Sequence, residues 1–264
     1  MGPTQARRPH VFSRSASTSS PGRTAASTIG SITSRRQSEI NTGVDAYRPL
    51  QLPFEHLPPQ EAEARSRAFL ELMSKRRSVR DFAPDEVPHG IVEDALRVAA
   101  SAPSGANTQP WGFVVVEDAA VKARIREAAE HEEKLLYRER ATQEYLDALE
   151  PIGTDWLKPH LTDAPLLIVV FEKPWSFDEE GEKRKNYYVR ESVGIAVGFL
   201  LAALHNAGLG TLTHAPSPMR FLNDILGRPE NERPFIVVAV GYPTADATVP
   251  ELQRKPLEDV VEFL

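Results

Sequence analysis

LLIVVF, residues 166–171, is a run of six apolar side chains, three of them β-branched, with no polar break. A strand with one wet face alternates apolar and polar residues. This one does not, so it reads as a strand covered on both faces. FIVVAVGY (235–242) is a second central strand of the same kind, and GFVVVE (112–117) a third. Helical periodicity fills the gaps. In EAEARSRAFLELMSKRRSVRDF, Phe69, Leu72 and Met73 fall three and four apart on one face, and the helix ends near the arginines. IVEDALRVAASAP is a second amphipathic helix, preceded by Pro88 and stopped by Pro103. Asp118 is an N-cap for a third, and the helix Val193 to Asn206 closes with Gly208 at its C′ position. Helices alternating with buried strands predict an α+β sandwich, a central mixed sheet covered by helices. There is no internal repeat and no second domain.

Composition narrows the chemistry. The 264 residues are 41% hydrophobic, enough for one sizeable core. No cysteine is present, which excludes disulfides, zinc thiolate sites and cysteine nucleophiles. The net charge of -6 is uneven: residues 1–38 hold six arginines and no acid, so 25 basic residues face 37 acids in the other 226. A folded part carrying -12 is a poor binder of nucleic acid. The longest apolar run, Val193 to Leu204, is 12 residues with two glycines, too short for a membrane span. Residues 1–46, rich in Ser, Thr and Arg, read as a solvated N-terminal tail on a domain at 47–264, which implies a cytoplasmic protein. The same composition fits a mitochondrial presequence. Residues 128–160 are dense in Glu, Lys and Arg, and read as surface helices with little core behind them.

Two segments offer binding chemistry. Arg76, Arg77, Ser78 and Arg80 put three guanidinium groups and a hydroxyl within five positions. They are either a solvated charge cluster or a phosphate clamp. Pro103-Ser104-Gly105-Ala106-Asn107-Thr108-Gln109-Pro110-Trp111 is a loop stiffened by proline at both ends, and Gly105 allows backbone to approach a planar ligand. Its other reading is an ordinary helix–strand connection. No GxGxxG follows a strand, and GxxxxGK[ST], HExxH and GxSxG are absent. His160 and His214 have no ligand-spaced companions, so no metal site is expected.

Taken in order, RRSVRDF (76–82), APSGANTQPW (102–111), FVVV (113–116), LLIVVF, ALHNAGLGTLTHAP (203–216) and LGRP…VGYP…ATVPELQRKPLEDV (226–260) resemble the iodotyrosine deiodinases within the flavin nitroreductase superfamily. RRSVR and PSG mark the superfamily. The tail motif, and Glu133 and Tyr137 followed by Trp156-Leu157-Lys158, narrow it to the deiodinase branch. The resemblance covers about residues 47–264. It implies a nitroreductase-like fold, a homodimer with non-covalent FMN at the interface, and a substrate lid around 128–160.

By the same resemblance, Arg76, Arg77, Ser78, Val79 and Arg80 fall where the family holds phosphate and ribitol, with Arg254 a further phosphate-side arginine. Pro103, Ser104, Gly105 and Asn107 fall at the flavin, and Ala106 beside the substrate ring. Glu133, Tyr137 and Lys158 match the residues that grip the amino-acid zwitterion. Thr213, His214 and Ala215 fall around flavin N5, where the family has a threonine at the position of Ala215. Alanine supplies no side-chain donor, though Thr213, His214 or a backbone N–H remains. The implied activity is reductive dehalogenation of mono- and diiodotyrosine without a protein nucleophile, with NADPH or NADH as ultimate donor, directly or through a reductase partner. The alternatives are an NAD(P)H-dependent nitroreductase or quinone reductase of broad specificity, acting on nitroaromatics, and a flavin or amino-acid binding protein without turnover.

Overall fold

Strand β2 (Leu166–Glu172) sits inside a four-stranded sheet between β1 (Trp111–Val116) and β6 (Arg233–Gly241), with β5 (Gly210–His214) on the far side of β6. The computed structural model describes residues 47–264; the tail and presequence readings of residues 1–46 lie outside them. Residues 47–56 form no helix or strand, and Leu57–Leu264 are one compact unit. All pairs of named strands are antiparallel. The parallel element that makes the sheet mixed is a single bridge, Ser78 to Thr211, fixed by Val79 N–H donating to Thr211 O at 3.0 Å. The arginine motif therefore lies along the free edge of β5.

Period-two alternation divides the core. Leu166, Ile168 and Val170 enter one apolar layer with Val238 and Val240. Leu167, Val169 and Phe171 enter the other with Val237, Ala239 and Leu212. Helices α2 (His89–Ala100) and α6 (Val189–Asn206) cover the first layer. The second is covered by α3 (Ala119–Leu135), the single-turn α5 (His160–Asp163) and α7 (Phe221–Leu226). The Asp118 side chain accepts from Val121 N–H at 2.8 Å, the expected N-cap of α3. Gly208, at φ 82°, ends α6.

Two expectations need revision, and one hairpin lies outside them. Helix α1 (Pro59–Ser74) forms, but it buries no residue in the single chain; Phe69 is 56% exposed. Its apolar stripe is real, yet the sheet is already covered on both faces. Residues 128–160 are not all surface: Ala129, Glu133, Lys158 and His160 are buried, because α3 is long enough to cross the sheet before its charged end. Beyond it come a π-helical turn (Leu136–Arg140), α4 (Gln143–Leu149) and a 3-10 turn (Glu150–Ile152), which bury nothing. The hairpin β3 (Trp175–Phe177) and β4 (Lys183–Lys185) has no apolar run and was not predicted. Among the described residues no helix is long and apolar enough to cross a membrane.

Lys122, 7% exposed, carries its charge into the second layer and donates from Nζ to Ala164 O at 2.7 Å and Pro165 O at 3.0 Å. These bonds set the point at which the chain enters β2. Lys122→Met leaves both carbonyls unmet, and should lower the unfolding free energy by roughly 1–3 kcal/mol, read as a urea midpoint shift at constant slope.

Candidate functional site

The arginine motif follows α1 as an extended segment pinned to β5. Arg76, Arg77, Ser78 and Arg80 line one cavity of about 430 Å³ together with Thr213, Leu212, Ile152 and Arg254. Two of the guanidinium groups are structural splints. Arg254 donates to Ser74 O at 2.9 Å and to Arg76 O at 2.8 Å, and Arg77 donates to Pro250 O. The side chains of Arg76 and Arg80 have no ion-pair partner among the described residues and stay available at the cavity wall. Val79 is buried behind them and contributes its backbone.

The loop between α2 and β1 is built differently. Ala106, Asn107 and Gln109 have φ of 51°, 55° and 47°. Left-handed backbone at three non-glycine residues is strained by roughly 1–3 kcal/mol each, a cost that marks functional loops. Ser104 Oγ accepts from Gln109 N–H at 3.0 Å and closes the turn. Gly105 bridges to Tyr187, and a Cβ there would stand 2.7 Å from Tyr187 O and 2.7 Å from Tyr188 Cδ2. Its N–H faces Ser192 Oγ at 3.4 Å. Pro103 through Asn107 contribute nothing to the arginine cavity. Sequence reasoning missed Tyr187, Tyr188 and Ser192, which carry no motif of their own.

Glu133, Tyr137 and Lys158, by contrast, come together. Lys158 Nζ is 3.2 Å from Glu133 Oε2, with the two side chains 4% and 11% exposed, and it lies 5.8 Å from the centre of the Tyr137 ring. The Tyr137 hydroxyl donates to Thr154 O at 3.2 Å. Burial, and then the Glu133 charge, push the Tyr137 phenol above its ordinary value, so it stays a donor at neutral pH. Glu130 fixes the approach of the chain: it accepts the Lys158 N–H at 2.8 Å and Arg126 Nε at 2.7 Å. Burial works against its ionisation, but these contacts outweigh it and hold the carboxyl below its usual range. Ile152, between Tyr137 and Lys158 in sequence, lines the arginine cavity, which puts the triad's segment against that cavity.

The residues at the end of β5 diverge. Thr213 faces the arginine cavity, while Ala215 lines a separate groove of about 830 Å³ with Met219, Arg220 and Phe235. The His214 ring turns into the second apolar layer, edge-on to His160 at 5.6 Å.

Comparison with known proteins matches these features to one lineage. The nitroreductase family model covers residues 73–242. The iodotyrosine deiodinase of Haliscomenobacter hydrossis is 53% identical over 210 residues, 79% of this chain and 95% of that protein. The chain belongs to the iodotyrosine deiodinases of the nitroreductase family. Human iodotyrosine deiodinase 1 is 44% identical over 215 residues, spanning 80% of this chain and 74% of the human protein. A crystal structure of oxidized iodotyrosine deiodinase bound to FMN and 3-iodo-L-tyrosine superposes with a TM-score of 0.63 at 33% identity, over 74% of this chain and 98% of that one. An FMN-bound nitroreductase from Bacteroides fragilis, at 21% identity and a TM-score of 0.55, shares the fold over 74% of this chain and 98% of its own.

Gly105→Ala should destabilise the protein by roughly 1–3 kcal/mol, because backbone rather than a flexible side chain blocks the new methyl. Gly90→Ala, with nothing within 4 Å, is the control and should be neutral or slightly stabilising. Parallel thermal melts read both.

Proposed function

We propose that this deiodinase-family chain is an FMN-dependent reductase that removes iodide from mono- and diiodotyrosine. The observation that carries this reading is the closed Glu133–Lys158 pair beneath Tyr137. A buried ion pair exchanges well only for a ligand that replaces both charges, since orphaning either one costs roughly 3–5 kcal/mol. An amino-acid zwitterion does that: Glu133 accepts from its ammonium, while Lys158 and Tyr137 donate to its carboxylate. A neutral nitroaromatic leaves the pair closed, and a simple anion strands Glu133. The segment around 128–160, of which residues 136–152 bury nothing, serves as the lid that closes over such a ligand.

The donor set of the arginine cavity suits FMN. Arg76 and Arg80, unpaired among the described residues, are what a phosphate monoester dianion needs. Ser78 adds a hydroxyl, Arg77 and Arg254 hold the turn, Val79 lends backbone, and Thr213 reaches the same wall. Bound reduced FMN supplies the two electrons that, with one proton, exchange carbon-bound iodine for hydrogen and release iodide. The protein's share is to orient the ring and exclude water. Ala106, in the strained loop, lies beside the substrate ring, and Pro103, Ser104, Gly105 and Asn107 form the flavin-side wall.

Because that loop and the arginine cavity share no residue, a second copy of the chain completes the site. The exposed apolar residues Phe69, Val98, Ile195 and Phe199 of α1, α2 and α6 support such a homodimer. NADPH or NADH is the ultimate donor, directly or through a reductase partner.

Ala215 favours a second reading, an FMN nitroreductase or quinone reductase in the same frame, since no side-chain donor stands where the family has a threonine. The two are separated by anaerobic iodide release from 3-iodotyrosine with FMN-loaded, dithionite-reduced protein. Release well above free reduced FMN, reduced at least about tenfold by Glu133→Gln (roughly 1.4 kcal/mol or more), is the expected outcome. Release at the free-flavin level, with nitroaromatic turnover intact, selects the nitroreductase.

A further inference from the structure

His160 and His214 come from separate elements, the first position of α5 and the last of β5. Their rings meet edge to face, centroids 5.6 Å apart at 69°. His160 is 5% exposed, and Nε2 of each ring is buried with no hydrogen-bond partner. His160 follows Lys158 by two residues, and His214 immediately precedes Ala215. The pair is thus the seam between the segment that carries the zwitterion grip and the strand end that borders the cofactor cavity.

The surroundings favour the uncharged form. From α3 come Arg126 and Glu130, from the chain before α5 Lys158, itself paired with Glu133, and from the arginine motif Arg80. Both acids are already engaged, Glu130 by Arg126 and the Lys158 N–H, and Glu133 by Lys158 Nζ. Burial first, then Lys158, Arg80 and Arg126, push His160 down to about 4, with Glu130 opposing. Burial, then His160 and Lys158, push His214 down to about 3. An imidazolium here would have to donate from an Nε2 that has no acceptor, and at His160 would face three cations.

We propose that His160 and His214 are positioning residues: a neutral imidazole pair that fastens the lid to the end of β5, and whose protonation frees the lid and with it the grip of Glu133, Tyr137 and Lys158 on a zwitterion. The ligand half of this rests on the function proposed above; the fastening half does not. The sign follows from linkage. A released, hydrated histidine takes up a proton near the ordinary 6.5, while the fastened one resists until about 4. The fastened state is therefore fully favoured above pH 6.5 and loses ground steadily as pH falls towards 4.

The test uses FMN-loaded protein between pH 7.5 and 5, with two readouts. One is the Kd for 3-iodotyrosine from flavin fluorescence. The other is amide hydrogen exchange over residues 136–160 without ligand, corrected for the intrinsic pH effect. In the wild type, Kd should rise by at least about tenfold across this range, and exchange should quicken in step. His160→Phe and His214→Phe keep an aromatic edge contact without a titrating nitrogen, and each should flatten both dependences to within about twofold. Two folded variants that retain the wild-type slope, or a wild type with no slope, overturn the proposal. If one variant does not fold, the other decides. If FMN binds but 3-iodotyrosine does not at pH 7.5, the ligand reading fails, and the exchange series alone still judges the histidine pair.

Discussion

Because every side chain from Leu166 to Phe171 is buried, β2 tolerates no water on either face, and helices must lie on both. That constraint orders the rest of the molecule. It fixes β1 and β6 as neighbours, assigns α2 and α6 to one layer and α3, α5 and α7 to the other, and leaves β1 at one sheet edge and β5 at the other. The β5 edge would present unpaired backbone. Ser78 and Val79 cover it, and the covering segment is the one that carries the guanidinium groups. Core packing and the arginine cavity thus meet at a single bridge between Ser78 and Thr211.

The same two-layer division explains why the candidate site has parts of different character. Next to the α3 layer, charge is arranged as closed pairs, the buried Glu133 with Lys158 and the half-buried Glu130 with Arg126, and under the proposed function a ligand trades like for like with the buried pair. At the sheet edge the guanidinium groups of Arg76 and Arg80 are open to an incoming anion. Beside α6 the strained loop offers backbone rather than side chains. Charge exchange, charge capture and close backbone approach are distinct ways of holding a molecule, and each sits on the layer whose packing permits it.

What was legible in the sequence followed this physics. Continuous apolar runs announced β1, β2 and β6; β2 and the second half of β6 are buried on both faces, whereas β1, at an edge, is buried only at Trp111 and Val116. Capping chemistry gave Asp118 and Gly208. Glu133 and Tyr137, four apart, were predictable as one helical face, and Lys158 joined them only through the family resemblance. The short hairpin β3–β4 was invisible, because Lys183 to Lys185 pair by backbone alone. Nor could the sequence reveal that α1 buries nothing, since an apolar stripe looks the same whether it meets a core or another chain. His160 and His214 stood out as isolated histidines. Their contact arises from β5 alternation, which puts Leu212 and His214 on one face, and no spacing rule spans the residues between them.

The clamp on the arginine turn has a consequence for how the protein matures. Arg254 holds the carbonyls of Ser74 and Arg76, and Pro250 O receives Arg77, over separations of 173 to 180 residues. Contacts so remote in sequence form late and carry a high cost in chain entropy. Until the segment with Pro250 and Arg254 has docked, the arginine turn has no splint, however completely β2 and its neighbours have already collapsed. The shape of the arginine cavity therefore depends on completion of the whole fold, not on collapse of the sheet alone.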